Sequence, residues 1–147
     1  MEQRINTLKN EIDIFNVLKQ FASDLKSLGQ GEGYRREMAK KFAQHAEFLV
    51  ISIEKNIAGF IAFYMNDFSQ KEAYISMLAV HEKYRRLGLG KFLLKRCITL
   101  VKDIGMVSIK LEVAIDNKTA ITFYENNGFE IYANSETSYY MKRILKI

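Results

Sequence analysis

The sequence predicts an α+β (or α/β) fold in which helices are layered on a mixed sheet. Segments with strand and helix character are interleaved along the whole chain in the order β-α-α-β-β-β-α-β-α-β-β. The 147 residues are 48% hydrophobic and 27% charged, a composition that supports a packed core and excludes general disorder. This length suits one domain, so we expect residues 1–147 to form a single unit.

Glycine and asparagine set the element boundaries, because the chain has no proline. Asn10 is suited to cap the first helix, and Gly29 is suited to end it. Glu54-Lys55-Asn56 separates two β-rich runs and predicts a hairpin. The predicted strands cover 5–8, 48–53, 57–65, 74–80, 107–114, 129–132 and 139–144, and the predicted helices cover 10–28, 35–44, 89–104 and 117–126.

The predicted helix 89–104 is amphipathic, and we expect its apolar face to pack on the sheet. Cys97 falls on this face and is expected to pack rather than to react. The face comprises Leu89, Phe92, Leu93, Cys97, Leu100, Val101 and Ile104.

Cysteine and histidine usage narrows the class of protein. One cysteine cannot form an intramolecular disulfide, which fits a reducing compartment. One cysteine and two histidines, His45 and His81, cannot build a zinc cluster, so no metal is expected. The polar N-terminus carries no signal-peptide core, and the apolar stretch 48–65 is interrupted by charge. We therefore expect a cytoplasmic protein with no membrane association.

The net charge of +5 favours polyanionic ligands, which include phosphorylated small molecules, nucleic acids and membrane surfaces. However, the chain has no long run of lysine and arginine, and its aromatic residues mostly follow core periodicity instead of marking a basic face. We therefore expect no nucleic-acid partner.

A phosphate-binding turn is predicted where the fourth strand leads into the third helix. Gly88 and Gly90 stand at the helix start, where the first N–H groups lack intrahelical acceptors and the helix dipole is positive. Glycine lets a ligand approach the backbone closely, so a phosphate would be held mostly by backbone donors. Positive charge is added by Arg85, Arg86 and Lys91. The alternative is a glycine-containing turn with a solvated basic face.

Two common phosphate loops are excluded by spacing. A dinucleotide fingerprint needs a third glycine where Leu93 stands. A Walker loop needs glycine where Arg85 stands and serine or threonine where Phe92 stands.

Two motifs resemble those of the GCN5-related N-acetyltransferase (GNAT) family. The string Arg85-x-x-Gly88-x-Gly90 resembles its acetyl-CoA signature, and Leu111-Glu112-Val113 followed by Asn117-x-x-Ala120-x-x-x-Tyr124-Glu125-x-x-Gly128-Phe129 is similar to its downstream block. The element order is also similar over nearly the whole chain. The resemblance implies the GNAT-type acyl-CoA N-acyltransferase fold, with about six or seven strands in a mixed sheet and about four flanking helices.

The resemblance also implies that acetyl-CoA is the co-substrate. Its diphosphate would be held by backbone N–H groups of residues 87–91, and its pantetheine arm would pair with the strand 77–80. A backbone N–H near Leu78 would polarise the thioester carbonyl. The implied donor-binding residues are Leu78, Val80, Arg85, Arg86, Leu87, Gly88, Leu89, Gly90, Lys91, Asn117 and Tyr124.

Acyl transfer to an amine uses a base for the ammonium and an acid for the departing thiolate. The resemblance implies Tyr124 as the acid, and the alternative for this residue is a core tyrosine. Glu112 is the candidate base by its resemblance to the glutamate of RimI-type enzymes, and Glu72 and Tyr74 compete for that role. Asn117 is also expected to cap its helix.

The acceptor is predicted only as a class. We expect a primary amine of a small molecule or peptide, acetylated by direct transfer; RimI-like acetylation of protein N-termini and acyl-CoA sensing without catalysis are alternatives. Ala114 stands where RimI-type enzymes commonly carry arginine, which weakens the first alternative. Arg35 and Arg36 could meet an acidic acceptor or be solvated. The last strand, 139–144, is a possible homodimer edge.

Overall fold

A computed structural model describes residues 2–145 and confirms the predicted class and element order. Two 3-10 turns, Lys26–Gln30 and Glu82–Tyr84, supplement the helices and strands. The elements in chain order are β1 (Gln3–Thr7), α1 (Glu11–Gln20), α2 (Glu32–His45), β2 (Glu47–Ile53), β3 (Asn56–Asp67), β4 (Glu72–Val80), α3 (Leu89–Asp103), β5 (Ser108–Ala114), α4 (Lys118–Asn126), β6 (Glu130–Asn134) and β7 (Ser138–Ile144).

The seven strands form one mixed sheet in the order β1-β2-β3-β4-β5-β7-β6. Neighbouring strands are antiparallel except β4 and β5, which are parallel. Each face of the sheet carries its own apolar core. One core joins the sheet to α1 and α2, and the other joins it to α3 and α4. The predicted hairpin at 54–56 is confirmed, and its two turn residues, Glu54 and Lys55, have positive φ.

The first helix is shorter than predicted. It ends at Gln20, because Phe21 leaves the helical backbone with φ −95° and ψ 14°. Leu28 nevertheless remains buried, since the following 3-10 turn carries it back to the same core. The helical spacing of apolar residues therefore extends to Leu28, although the α-helix itself ends at Gln20. Gly29 consequently does not end α1, and Gly33, expected in a loop, lies inside α2.

The apolar face of α3 is narrower than predicted. Leu89, Leu93, Cys97 and Val101 are buried at intervals of four residues. Phe92 is 53% exposed, so its assignment to the buried face was wrong. It lies beside the stripe that the sheet covers, as Ile104 does at 41% exposure.

The last strand is not a sheet edge. β7 pairs with β5 on one side and β6 on the other, so the prediction of a dimer edge at 139–144 was misplaced. The free edges are β1 and β6. In the described part of the chain, no helix is long and apolar enough to span a membrane.

Candidate active site

The turn between β4 and α3 presents a series of unpaired backbone donors. Arg86 and Gly88 have left-handed backbone conformations, with φ of 70° and 75°. The first helical bond runs from the Phe92 N–H to the Gly88 carbonyl, at 3.0 Å. Within residues 2–145, the N–H groups of 86–91 have no protein acceptor. This helix start therefore has the donors that phosphate-binding turns use.

The two glycines of the turn have different roles. A Cβ at Gly88 would meet no atom within 4 Å, so its missing side chain leaves the approach to the N–H groups open. Its positive φ also favours glycine over other residues. A Cβ at Gly90 would lie 3.5 Å from the ring of Phe123, which is an ordinary van der Waals contact, so this position lies where α3 faces α4 and has room for a methyl group.

The basic residues of the turn also differ. Arg86 and Lys91 are exposed beside the N–H groups. Arg85 instead turns back, where its Nε donates to the Val80 carbonyl at 3.3 Å and its guanidinium lies 3.6 Å from Asp24 Oδ1. Arg85 therefore fastens the turn to the end of β4 and to the segment after α1. Asp24, which is only 8% exposed, was missed because an isolated acid after a helix carries no sequence signal.

β4 and β5 pair over only part of their length. Residues 72–75 of β4 pair with residues 108–111 of β5. Beyond this segment β4 continues to Val80 and β5 continues to Ala114, but the two strands no longer pair with each other. The sheet therefore opens into a cleft between them. The resemblance to the GNAT family implies such a splay of the sheet between strands 77–80 and 107–114, and it is present here.

A bulge in β4 lies at the start of this cleft. Met77 pairs with Ala62 and Ile75 pairs with Phe63, so Ser76 is an extra residue on β4. As a result, the apolar side chains change face along the strand. Ile75 packs in the α3/α4 core, whereas Met77 packs in the α1/α2 core.

The open edge of β4 carries the backbone groups that the sequence predicted for donor binding. The His81 N–H donates to the Ala58 carbonyl of the neighbouring chain segment at 2.8 Å. Since N–H groups of successive strand residues point to opposite edges, those of Val80 and Leu78 point away from β3 and into the cleft. These N–H groups lead from the cleft to the turn at Gly88.

Tyr124 lies in α4 and is 8% exposed. Its ring packs edge-on against Phe123 and Phe129, with centroids 5.3 Å and 5.4 Å away. Burial, with a smaller effect from nearby Cys97, raises the pKa of the Tyr124 hydroxyl well above its ordinary value. The hydroxyl is therefore protonated at neutral pH, as a general acid must be.

Glu112 projects from the β5 wall of the cleft. It is exposed, and it pairs across the sheet with Tyr140 on β7. Burial, followed by the charge of Glu112, raises the pKa of the Tyr74 hydroxyl on β4. Tyr74 is therefore a neutral phenol at pH 7 and a poor base, although it lies close to Glu112.

Glu72, the other candidate base, is held at the paired end of the two strands. Its carboxylate accepts a bond from Ser108 Oγ at 3.0 Å and contacts Lys110 Nζ at 3.0 Å and Lys142 Nζ at 3.4 Å. Burial opposes ionisation, but these three partners together lower the pKa of Glu72. A carboxylate with occupied oxygens and a lowered pKa is a weak base, so the geometry favours Glu112.

The remaining predicted residues act through caps or backbone. The Asn117 Oδ1 accepts the Ala120 N–H at 3.2 Å, so the predicted cap of α4 is present. Leu89 is buried, which leaves only its backbone N–H for a ligand, whereas Leu87 is 46% exposed.

The face of the cleft towards α2 is rich in tyrosine. Burial, followed by the neighbouring Tyr74 and Tyr34, raises the pKa of the Tyr64 hydroxyl. Tyr132 and Tyr140 contribute to the raised pKa of the Tyr74 hydroxyl. Most of this cluster was missed, because the tyrosines are scattered over five elements and converge only in the folded protein.

Two arginines that were considered for acceptor binding have partners within the protein. Arg35 donates to the Leu28 carbonyl at 2.7 Å. Arg36 lies over the Phe15 ring at 4.3 Å and near Glu32 at 3.6 Å. Both therefore organise the α1–α2 region.

The family model of the acetyltransferase (GNAT) family matches residues 14–129. The chain belongs to this family. N-alpha-acetyltransferase 50 of Danio rerio is 32% identical over 143 residues, which cover 93% of this chain and 84% of that protein. N-alpha-acetyltransferase 30 of Xenopus laevis is 44% identical over 59 residues, and the match spans only 22% of that protein's length.

The fold is shared with solved GNAT structures. The PaiA N-acetyltransferase of Thermoplasma acidophilum, crystallised in complex with coenzyme A, superposes with a TM-score of 0.80 at 21% identity. The match covers 99% of this chain and 100% of that one. The predicted GNAT fold is therefore confirmed.

Proposed function

We propose that this protein transfers an acetyl group from acetyl-CoA directly to a primary amine, and that the amine is the N-terminal α-amino group of a peptide. The observation that carries the proposal is the cleft between β4 and β5. Among the described residues it has unpaired N–H donors along the β4 edge, a turn with unpaired N–H groups at its end, and the exposed Glu112 carboxylate on β5. The protonated hydroxyl of Tyr124 belongs to α4, which packs on the same sheet. Family membership supports the same donor.

Different residues of the chain bind the donor, stabilise the oxyanion and accept the proton. The N–H groups of 86–91 hold the donor's diphosphate, and the open edge of β4 pairs with its pantetheine arm. The Leu78 N–H stabilises the oxyanion that forms on the thioester carbonyl. Glu112 accepts a proton from the acceptor ammonium, directly or through water.

The bond changes are then balanced. The amine lone pair attacks the thioester carbon and forms the C–N bond. Collapse of the tetrahedral intermediate breaks the C–S bond, and Tyr124 supplies a proton to the departing sulfur. The nitrogen loses its second proton to solvent as the intermediate collapses to the amide. The proton taken up by Glu112 returns to the tyrosinate through solvent, so the protein ends unchanged and one proton is released per turnover.

Two observations support a peptide acceptor over a small metabolite. The relative named N-alpha-acetyltransferase 50 is similar over nearly the whole chain. In addition, Tyr74 and Tyr132 are 40% and 50% exposed, and Tyr74 lines an open concavity of about 390 Å³ together with Tyr64, so aromatic surface is available to a peptide. A small-molecule amine remains the second candidate acceptor.

The donor half of the proposal is tested by calorimetry. Gly88→Glu places a carboxylate in the open space before the N–H groups, so acetyl-CoA affinity should fall at least tenfold. Gly88→Ala is the matched control, because it imposes the same left-handed backbone cost of about 1–2 kcal/mol without adding charge. Unchanged binding by Gly88→Glu would reject the donor site.

The acceptor half is tested by thiol release with acetyl-CoA. A free N-terminal peptide should be turned over, whereas the same peptide with a blocked N-terminus and an internal lysine should not. Glu112→Gln should lower kcat by about 100-fold or more with the free peptide. Faster turnover of small amines than of every peptide would overturn the peptide assignment while leaving the donor site intact.

A further inference from the structure

Two adjoining concavities run along the outer side of α3, and one of them begins at Gly88 in the turn before this helix. One lies between α3, the end of α4 and β7, with a volume of about 770 Å³, and the other lies on the open surface of α3, at about 350 Å³. They share Lys91, Lys95 and Thr99 as a common ridge. The described surface is therefore grooved along most of this helix.

The linings of these concavities carry positive charge and no carboxylate. Within residues 2–145, none of their basic side chains has a carboxylate within ion-pair distance. Arg143 donates to the Asn127 carbonyl at 2.7 Å, which fixes its guanidinium without neutralising it. The cations are Lys91, Lys95, Arg96, Lys102 and Arg143.

An exposed aromatic side chain lies among these cations. Phe92 is 53% exposed and lines the outer concavity with Lys95 and Arg96. A phenyl ring bordered by cations offers a surface for an unpaired base, and the cations offer partners for phosphates. No nucleic-acid partner was expected because the aromatic residues mostly follow core periodicity, and Phe92 is an exception to that pattern.

We propose that this basic strip, defined as Phe92, Lys95, Arg96, Lys102 and Arg143, binds single-stranded nucleic acid through its phosphates and one stacked base. Lys91 is left to the donor site. Helix rise places Lys102 about 20 Å from the turn at Gly88, so the far end of the strip extends well away from the diphosphate position. The strip is a second site, beyond the proposed acetyltransferase function.

A concave surface favours a single strand over the other polyanions. A membrane surface is broad and needs a flat or protruding contact, whereas these cations line grooves. A duplex keeps its bases paired and offers no free face to Phe92. The four cations of the strip can neutralise four phosphates, which predicts a slope of about −3 for log K against log salt with a single strand.

The test uses fluorescence anisotropy of a labelled single-stranded RNA of mixed sequence, titrated with the full chain. The double variant Lys95→Glu, Lys102→Glu should weaken binding at least tenfold and flatten the salt slope. Lys9→Glu, Lys40→Glu makes the same change in net charge at exposed positions on the other side of the sheet, and it should have a much smaller effect. Phe92→Ala should weaken single-strand binding and leave duplex binding unchanged.

Acetyl-CoA calorimetry accompanies each variant, and near wild-type affinity shows that the donor site is intact. Three results would overturn the proposal. The first is equal loss in both double variants, which would indicate net charge alone. The second is complete displacement of RNA by stoichiometric coenzyme A, which would assign the cations to the donor. The third is a preference for anionic lipid vesicles over RNA.

Discussion

Replacing Tyr124 with phenylalanine isolates one oxygen atom at the proposed site of thiolate departure. The ring contacts with Phe123 and Phe129 should persist, because phenylalanine keeps the same shape. The stability change should be within about 1 kcal/mol, the usual net contribution of one hydroxyl hydrogen bond. The affinity for acetyl-CoA should also change little, because phenylalanine keeps the shape of the side chain.

Catalysis should respond far more strongly. Loss of a general acid typically lowers the rate about 10²–10⁴-fold. Each factor of ten corresponds to about 1.4 kcal/mol, so the barrier should rise by about 3–5 kcal/mol. This is several times the expected change in stability, and the two effects can therefore be separated.

The assay is thiol release at saturating acetyl-CoA and peptide, with kcat and KM determined for both substrates. A fall in kcat at nearly constant KM for acetyl-CoA is expected. The melting temperature and the calorimetric affinity for coenzyme A serve as controls. If kcat stays within threefold of wild type, or if the loss appears only in KM, Tyr124 is a packing residue and the acid role is wrong.

The remaining predictions concern charge and packing. Glu72 has a lowered pKa in the folded protein, so its stabilising effect is present above the unfolded pKa of about 4.3 and is lost as pH falls through the folded value. Urea titrations should therefore show that Glu72→Gln destabilises the protein at pH 7 and that the difference from wild type shrinks below about pH 4; equal differences at both pH values would contradict this. Leu93→Ala should cost about 2–5 kcal/mol because Leu93 is fully buried, whereas Phe92→Ser should cost about 0.5 kcal/mol or less. Comparable losses would show that Phe92 belongs to the core.

Much of the fold was predictable because its elements are short and punctuated. Asn10 and Asn117 both cap helices as the sequence indicated, and the hairpin at 54–56 follows from its turn. The turn before α3, with its left-handed Gly88, was also predictable, since it depends on local backbone. The first helix was predicted too long, and Phe92 was wrongly assigned to the buried face, and these two errors have a common cause. The spacing of apolar residues along the sequence shows which side chains are available for burial. Only tertiary packing decides which of them the sheet covers.

The site walls were less predictable than the turn. Glu112 and Tyr124 were found by resemblance to a motif. The partners of Glu72 come from Lys110 and Lys142 on two other strands, and no sequence spacing links them. The proposed preference for Glu112 over Glu72 therefore depends on strand pairing that the sequence does not show.

The bulge at Ser76 explains why the hydrophobic pattern alone does not locate the cleft, which only the family resemblance implied. Burial alternates without a break along β4, with Ala73, Ile75, Met77 and Ala79 all buried. A regular strand would put these four side chains on one face. Here the first two enter the α3/α4 core and the last two enter the α1/α2 core, because each face of the sheet has its own core. The alternation of buried and less buried residues therefore continues through the bulge, and the burial pattern does not show that the side chains change face. The same change of face brings Leu78 and Val80 onto the α3/α4 side as β4 parts from β5, so the position of the cleft depends on one residue that the hydrophobic pattern does not distinguish.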